Sequence, residues 1–117
     1  MVYIVRVKTL VTLVATKAYD RSASFLESED AFELKLFIAA NPKAGDLIPG
    51  TGGIRKLRWA ASGRGKRGGA RIIYYYHSSA MPLFLLAAYT KNTKIDLTGN
   101  EKKQLTKLIE QLKNHYK

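Results

Sequence analysis

The first fifteen residues are dense in apolar, mostly β-branched side chains: Val2, Ile4, Val5, Val7, Leu10, Val11, Leu13 and Val14. That pattern predicts a strand broken near Lys8-Thr9, with residues 10–15 as its core part and residues 1–9 as an N-terminal extension. Residues 16–26 have a weak helical pattern, because Ser22, Ala23 and Ser24 offer little to bury and packing must hold them. Ser28 is placed as the N-cap of a second helix, with Glu29 and Asp30 in the first turn, where carboxylates complement the helix dipole. Phe32, Leu36 and Ala40 line its apolar face, with Phe37 adjacent. Asn41-Pro42 ends it, since the residue before proline is pushed out of the α region. The two helices make an αα-hairpin.

Residues 41–53 are rich in glycine and proline and read as loop. Residues 54–60 read as a strand whose apolar positions, Ile54, Leu57 and Trp59, do not alternate strictly, which suggests a bulge or contacts on both faces. Residues 61–69 are a glycine-rich basic connection. Residues 70–77, with Ile72, Ile73 and three tyrosines, form a second strand. A turn at 78–80 leads to a third at 83–90, apolar almost throughout and so central in the sheet. Thr98 and Glu101 have capping-box spacing. Leu105, Leu108, Ile109, Leu112 and Tyr116 follow at helical intervals, leaving Lys102, Lys103, Lys107 and Lys113 on the outer face. The order β-α-α-β-β-β-α predicts one α+β domain over residues 1–117: an antiparallel-dominated sheet with an N-terminal helical hairpin and a C-terminal helix.

Charge changes this picture from a fold to a surface. The chain carries +11, and every Asp and Glu lies outside residues 47–95. Inside that window stand Arg55, Lys56, Arg58, Arg64, Lys66, Arg67, Arg71, Lys91 and Lys94. Charge of one sign over so long a run points to a polyanion: nucleic acid, a ribonucleoprotein or an anionic membrane surface. There is no cysteine, so neither a disulfide framework nor a thiolate metal site is expected. With only His77 and His115, a histidine-rich metal centre is not expected either, and no cofactor is implied. No stretch is long and apolar enough to span a bilayer, and no export signal is evident, so a cytoplasmic location with no membrane partner is expected.

The motifs within the basic window carry a resemblance. The run from Asn41 to Tyr76, NPKAGDLIPGTGGIRKLRWAASGRGKRGGARIIYYY, is followed by LLAAYTKNTKIDLT and a leucine-striped helix. In order and spacing these resemble the HigB-like branch of the RelE/ParE toxin superfamily over roughly residues 10–112. The resemblance implies a RelE-like fold and a toxin of a type II toxin–antitoxin module. It further implies a nuclease that enters the ribosomal A site, contacts mRNA and rRNA, and cleaves the mRNA. Its neutralising partner would be a helix-turn-helix antitoxin of the HigA kind. The alternative within the superfamily is a ParE-like inhibitor of DNA gyrase without nuclease activity. A third reading is an RNA-binding protein without catalysis.

Metal-free RNA cleavage needs a base for the 2′-OH proton, stabilisation of a charged phosphorane and an acid for the leaving 5′-oxygen. The basic window offers no paired carboxylates and no pair of histidines, so lysine, arginine and tyrosine remain. By resemblance, Arg71 is assigned to phosphate and transition-state stabilisation, with Lys56 and Arg58 from the preceding strand. Lys91 lies in the Tyr-x-Lys-Asn motif, beside Tyr89. A like charge disfavours the protonated form of an ammonium, so Lys56 or Lys91 among arginines is a candidate for proton transfer. The tyrosine that RelE uses near the position of residues 95–98 is absent here. Arg55, Arg64, Lys66, Arg67 and Lys94 are expected to grip the RNA backbone, the glycines at 63–69 allowing close approach to phosphate. Asp96 is expected to be structural, paired with a nearby cation.

Overall fold

The computed structural model describes residues 9–60, 69–94 and 96–116. Its elements are β1 (Leu13–Ala15), α1 (Lys17–Ser22) continued by a 3-10 turn at Ala23–Phe25, α2 (Ser28–Ala40), β2 (Asp46–Leu47), β3 (Ile54–Trp59), β4 (Ala70–Tyr75), β5 (Leu83–Thr90) and α3 (Gly99–His115). The strands form one sheet in the order β1-β5-β4-β3-β2. From β2 to β5 the pairing is antiparallel, and β1 lies parallel to β5 at the other edge. The expected α+β order is therefore present. β2 is added to it from what reads as loop, because two residues are too few to give a periodic signal. The first strand is shorter than expected, and residues 1–8 lie outside the described residues.

Helices cover both faces of the sheet. On one face Tyr19, Ala23, Leu34 and Ile38 pack against Leu57, Ile72, Tyr74, Leu83 and Leu85. On the other, Ile109 with Leu105, Leu108 and Leu112 of α3 packs against Ile54, Ile73, Tyr75, Phe84 and Leu86. β3 thus buries Ile54 on one side and Leu57 on the other, which is why its sequence does not alternate.

Polar side chains fix the helices to the strands. Thr16 caps α1, accepting the Tyr19 N–H at 3.1 Å while donating to the Leu85 carbonyl at 2.9 Å. Ser22 accepts the N–H of Ala88 at 2.9 Å. The register between β4 and β5 shifts by one residue at Ile73/Tyr74, a bulge that lets this N–H turn to Ser22. The loop before β3 is held by buried Thr51, which donates to the Ile48 carbonyl at 2.6 Å and accepts the Ile54 N–H at 3.2 Å. Gly53 enters β3 at φ 117°, and a Cβ there would stand 3.3 Å from the Tyr75 ring.

α2 corrects the expected packing. Leu34 and Ile38 are fully buried, with Asp30 beside them, whereas Phe32 is 63% exposed and Leu36 43%. The helix has apolar side chains on two sides, so spacing alone does not choose between the 32/36 and 34/38 pairs. Glu27, not Ser28, is the N-cap residue. The capping box of α3 is present as predicted: Thr98 accepts the Glu101 N–H at 3.1 Å, and Glu101 accepts the Thr98 N–H at 2.9 Å.

Candidate functional site

Side chains alternate between the faces of a strand. In β3, Lys56 and Arg58 therefore share the α3 side with Ile54, and in β4 Arg71 shares it with Ile73 and Tyr75. The register sets Arg58 opposite Arg71, and Arg71 opposite Tyr89. Three adjacent strands thus line up Arg58, Arg71 and Tyr89 in one cross-strand row, about 10 Å wide at the usual strand spacing. Like charges directly opposite each other destabilise a sheet. The Arg58–Arg71 pair is therefore a cost to the fold that an anion between or above the guanidiniums would relieve. The row lies at the end of the sheet away from Tyr75, and residues 61–68, outside the described residues, connect β3 to β4 at this end.

Beyond β5 the chain folds back toward the row. Thr93 and Lys94 both donate backbone N–H groups to the Thr90 carbonyl at 3.1 Å. Lys94 then sits 5.9 Å from the centre of the Tyr89 ring and forms an ion pair with Glu101. Asp96 accepts the Leu97 N–H at 2.8 Å and pairs with Lys56 at 3.4 Å. The Leu97 N–H, then the ammonium groups of Lys56 and Lys102, hold the Asp96 carboxyl below its ordinary value. Glu101 is likewise held low, first by Lys94 and then by the Thr98 N–H. Each carboxylate fixes one lysine beside the row, and Glu101 also caps α3.

Tyr89 is 9% exposed, and its hydroxyl is buried with no hydrogen-bond partner among the described residues. Burial pushes its pKa up, and the Asp96 and Glu101 carboxylates add to that while Arg71 opposes it. The phenol is therefore fully protonated at neutral pH. Arg71 is half-buried, and among the described residues its guanidinium makes only long contacts of 3.4 and 3.5 Å to the carbonyls of Gly69 and Ala70. Arg58 is exposed.

Of the residues expected at the site, Arg58, Arg71, Tyr89, Lys56 and Lys94 come together. Lys91 is exposed one residue past β5, its N–H on the Gly69 carbonyl at 3.4 Å, near the row's end of the sheet. Arg55 points to the opposite face and donates to the carbonyls of Gly45 at 2.7 Å and Lys43 at 3.3 Å. There it anchors the loop before β2 rather than facing the row. Arg64, Lys66 and Arg67 lie outside the described residues. His77 is remote, stacked on Tyr75 at 6.3 Å. In the sequence Asp96 reads as a structural partner for some cation and Glu101 only as a cap. That these carboxylates flank Tyr89 follows from the turn after β5, which has no local signature. Among the described residues no three His, Cys, Asp or Glu side chains gather as a metal site, and no helix is long and apolar enough to cross a membrane.

An α+β sheet that aligns two arginines across neighbouring strands, next to lysines set by carboxylates, presents a compact cationic face. The family described as the RelE toxin of the RelE/RelB toxin–antitoxin system matches residues 12–117. The chain belongs to this RelE toxin family. The fold agrees: a free-state structure of the E. coli toxin RelE, an arginine-to-alanine double mutant, superposes with a TM-score of 0.57. That match has 14% sequence identity and covers 82% of this chain and 97% of the other.

Proposed function

We propose that this toxin is a ribosome-dependent mRNA endoribonuclease of the HigB-like branch, cleaving by attack of the RNA's own 2′-OH without a metal ion. The observation that carries the reading is the Arg58–Arg71–Tyr89 row. In the proposed step a base takes the proton of the 2′-OH. The O2′–P bond forms, the P–O5′ bond breaks, and the products are a 2′,3′-cyclic phosphate and a 5′-hydroxyl end. Arg71 and Arg58 face the two non-bridging oxygens, where charge grows in the phosphorane. Tyr89, protonated at neutral pH and without another partner among the described residues, donates the proton to O5′ once bound RNA opens access to its buried hydroxyl. Lys56, oriented by Asp96, is the candidate for the 2′-OH side, and Lys91 is the second. Lys94 and the basic connection with Arg64, Lys66 and Arg67 hold backbone phosphates.

Neutralisation by a HigA-like helix-turn-helix antitoxin and action in the cytoplasm belong to the same reading. A gyrase-directed toxin would not need opposed arginines beside a buried phenol, so the ParE-like alternative is disfavoured. The test is induction of the toxin in cells followed by mapping of mRNA 5′ ends. Cleavage within translated codons supports the proposal; intact transcripts with double-strand DNA breaks would replace it by the gyrase reading.

A further inference from the structure

The sheet face opposite the arginine row carries α1 and α2, and α2 is apolar on the side that faces solvent. Phe32 is 63% exposed, Leu36 43% and Phe37 39%. Phe32 and Leu36 are four residues apart and form one ridge. Exposed Glu29 and Glu33 lie on the same outward side at helical spacing from them. Phe37 flanks the ridge and contacts Trp59, with ring centroids 5.5 Å apart. Contiguous exposed apolar side chains of this kind are a feature of interaction surfaces.

Charge narrows the occupant. Phosphate backbones and anionic lipid headgroups are repelled by Glu29 and Glu33. A second copy docked face to face would set glutamates against glutamates, within a pair of chains each carrying +11. We propose that this outward face of α2 docks a partner protein through an amphipathic helix whose apolar stripe is flanked by lysine or arginine. This is the opposite chemistry from an acidic partner drawn to the arginine row. The two surfaces lie on opposite faces of the sheet, so a partner held at α2 leaves the row open. The inference does not rest on the nuclease reading, because it uses none of the residues of the row.

The sole tryptophan gives a built-in reporter, since Phe37 of α2 lies against Trp59. The probe is a synthetic twenty-residue amphipathic helix with a leucine stripe flanked by lysines, compared with the same peptide flanked by glutamates. Both are titrated into the full chain while Trp59 emission is followed. The lysine-flanked peptide is expected to change the emission saturably despite the toxin's net positive charge. In Glu29→Lys/Glu33→Lys the preference between peptides should invert, with affinity for the lysine-flanked peptide falling roughly tenfold. Phe32→Ser/Leu36→Ser should abolish saturable binding with an unchanged far-UV spectrum. Three outcomes would overturn the proposal: no saturable change with the lysine-flanked peptide, the same preference after charge reversal, or binding that appears only once residues 1–8 are removed. Sedimentation showing a wild-type dimer that Phe32→Ser/Leu36→Ser dissociates would assign the face to a second copy instead.

Discussion

Replacing Tyr89 by phenylalanine removes one oxygen from the centre of the site, and the structure predicts opposite effects on stability and activity. In the free protein the hydroxyl is buried and has no hydrogen-bond partner among the described residues, and it meets the leaving oxygen only when bound RNA opens the site. A buried polar group left unsatisfied costs about 1–3 kcal/mol. The ring itself, packed beneath α3 with Leu97 and Ile109, is unchanged by the substitution. Tyr89→Phe should therefore unfold no more easily than the wild type and gain up to roughly 1–2 kcal/mol. That corresponds to a rise in Tm of about 4 °C per kcal/mol for a chain of this size. A proton donor to the leaving oxygen contributes on the order of 10²–10⁴ in rate, so cleavage should fall at least about a hundredfold. The assay pairs urea and thermal unfolding with mRNA cleavage on programmed ribosomes. A Tyr89→Phe protein that is destabilised yet cleaves at the wild-type rate would show instead that the hydroxyl serves packing and not chemistry.

Three further outcomes follow from the same geometry. Tyr74→Phe should lose about 2–4 kcal/mol in urea unfolding, since its hydroxyl accepts the Gly45 N–H at 2.8 Å and donates to the Pro42 carbonyl at 2.9 Å, leaving both orphaned. Thr98→Ala should cost about 1 kcal/mol by removing half of the α3 capping box, read from the shift in urea midpoint. The carboxyls of Asp96 and Glu101 are both held below their ordinary values of 3.8 and 4.5 in the folded protein. Their contribution to stability is thus complete above about pH 4.5 and is lost as pH falls through the folded values. Asp96→Asn/Glu101→Gln should flatten that acid limb of a plot of Tm against pH.

Much of the site was legible because β-strands convert spacing into position. Arg58 and Arg71 flank a single connection, so pairing residues 54–60 with 70–77 already sets them near one another. What spacing did not convey is which way each side chain points in a strand buried on both faces. Arg55 and Lys56 are neighbours in sequence and equal in charge, yet one anchors a loop and the other faces the row. α2 shows the same limit in helical form, because Phe32/Leu36 and Leu34/Ile38 have identical spacing and only the sheet beneath decides which pair is buried. The capping box of α3 was readable because all its partners are local. The placement of Asp96 against Lys56 was not, since it joins residues separated by two strands and a turn.

Whether the cross-strand row stabilises a transferring phosphoryl group is decided by single-turnover cleavage with Arg71→Ala. The measurement uses mRNA-programmed ribosomes with toxin in excess, and the 3′ end of the upstream fragment is identified chemically. A 2′,3′-cyclic phosphate is expected from the wild type. The rate for Arg71→Ala should be lower by about 10²–10³, with ribosome binding within a few fold of the wild type. Cleavage by Arg71→Ala at an unchanged rate, or a 3′-hydroxyl product from the wild type, would rule out this role for the row.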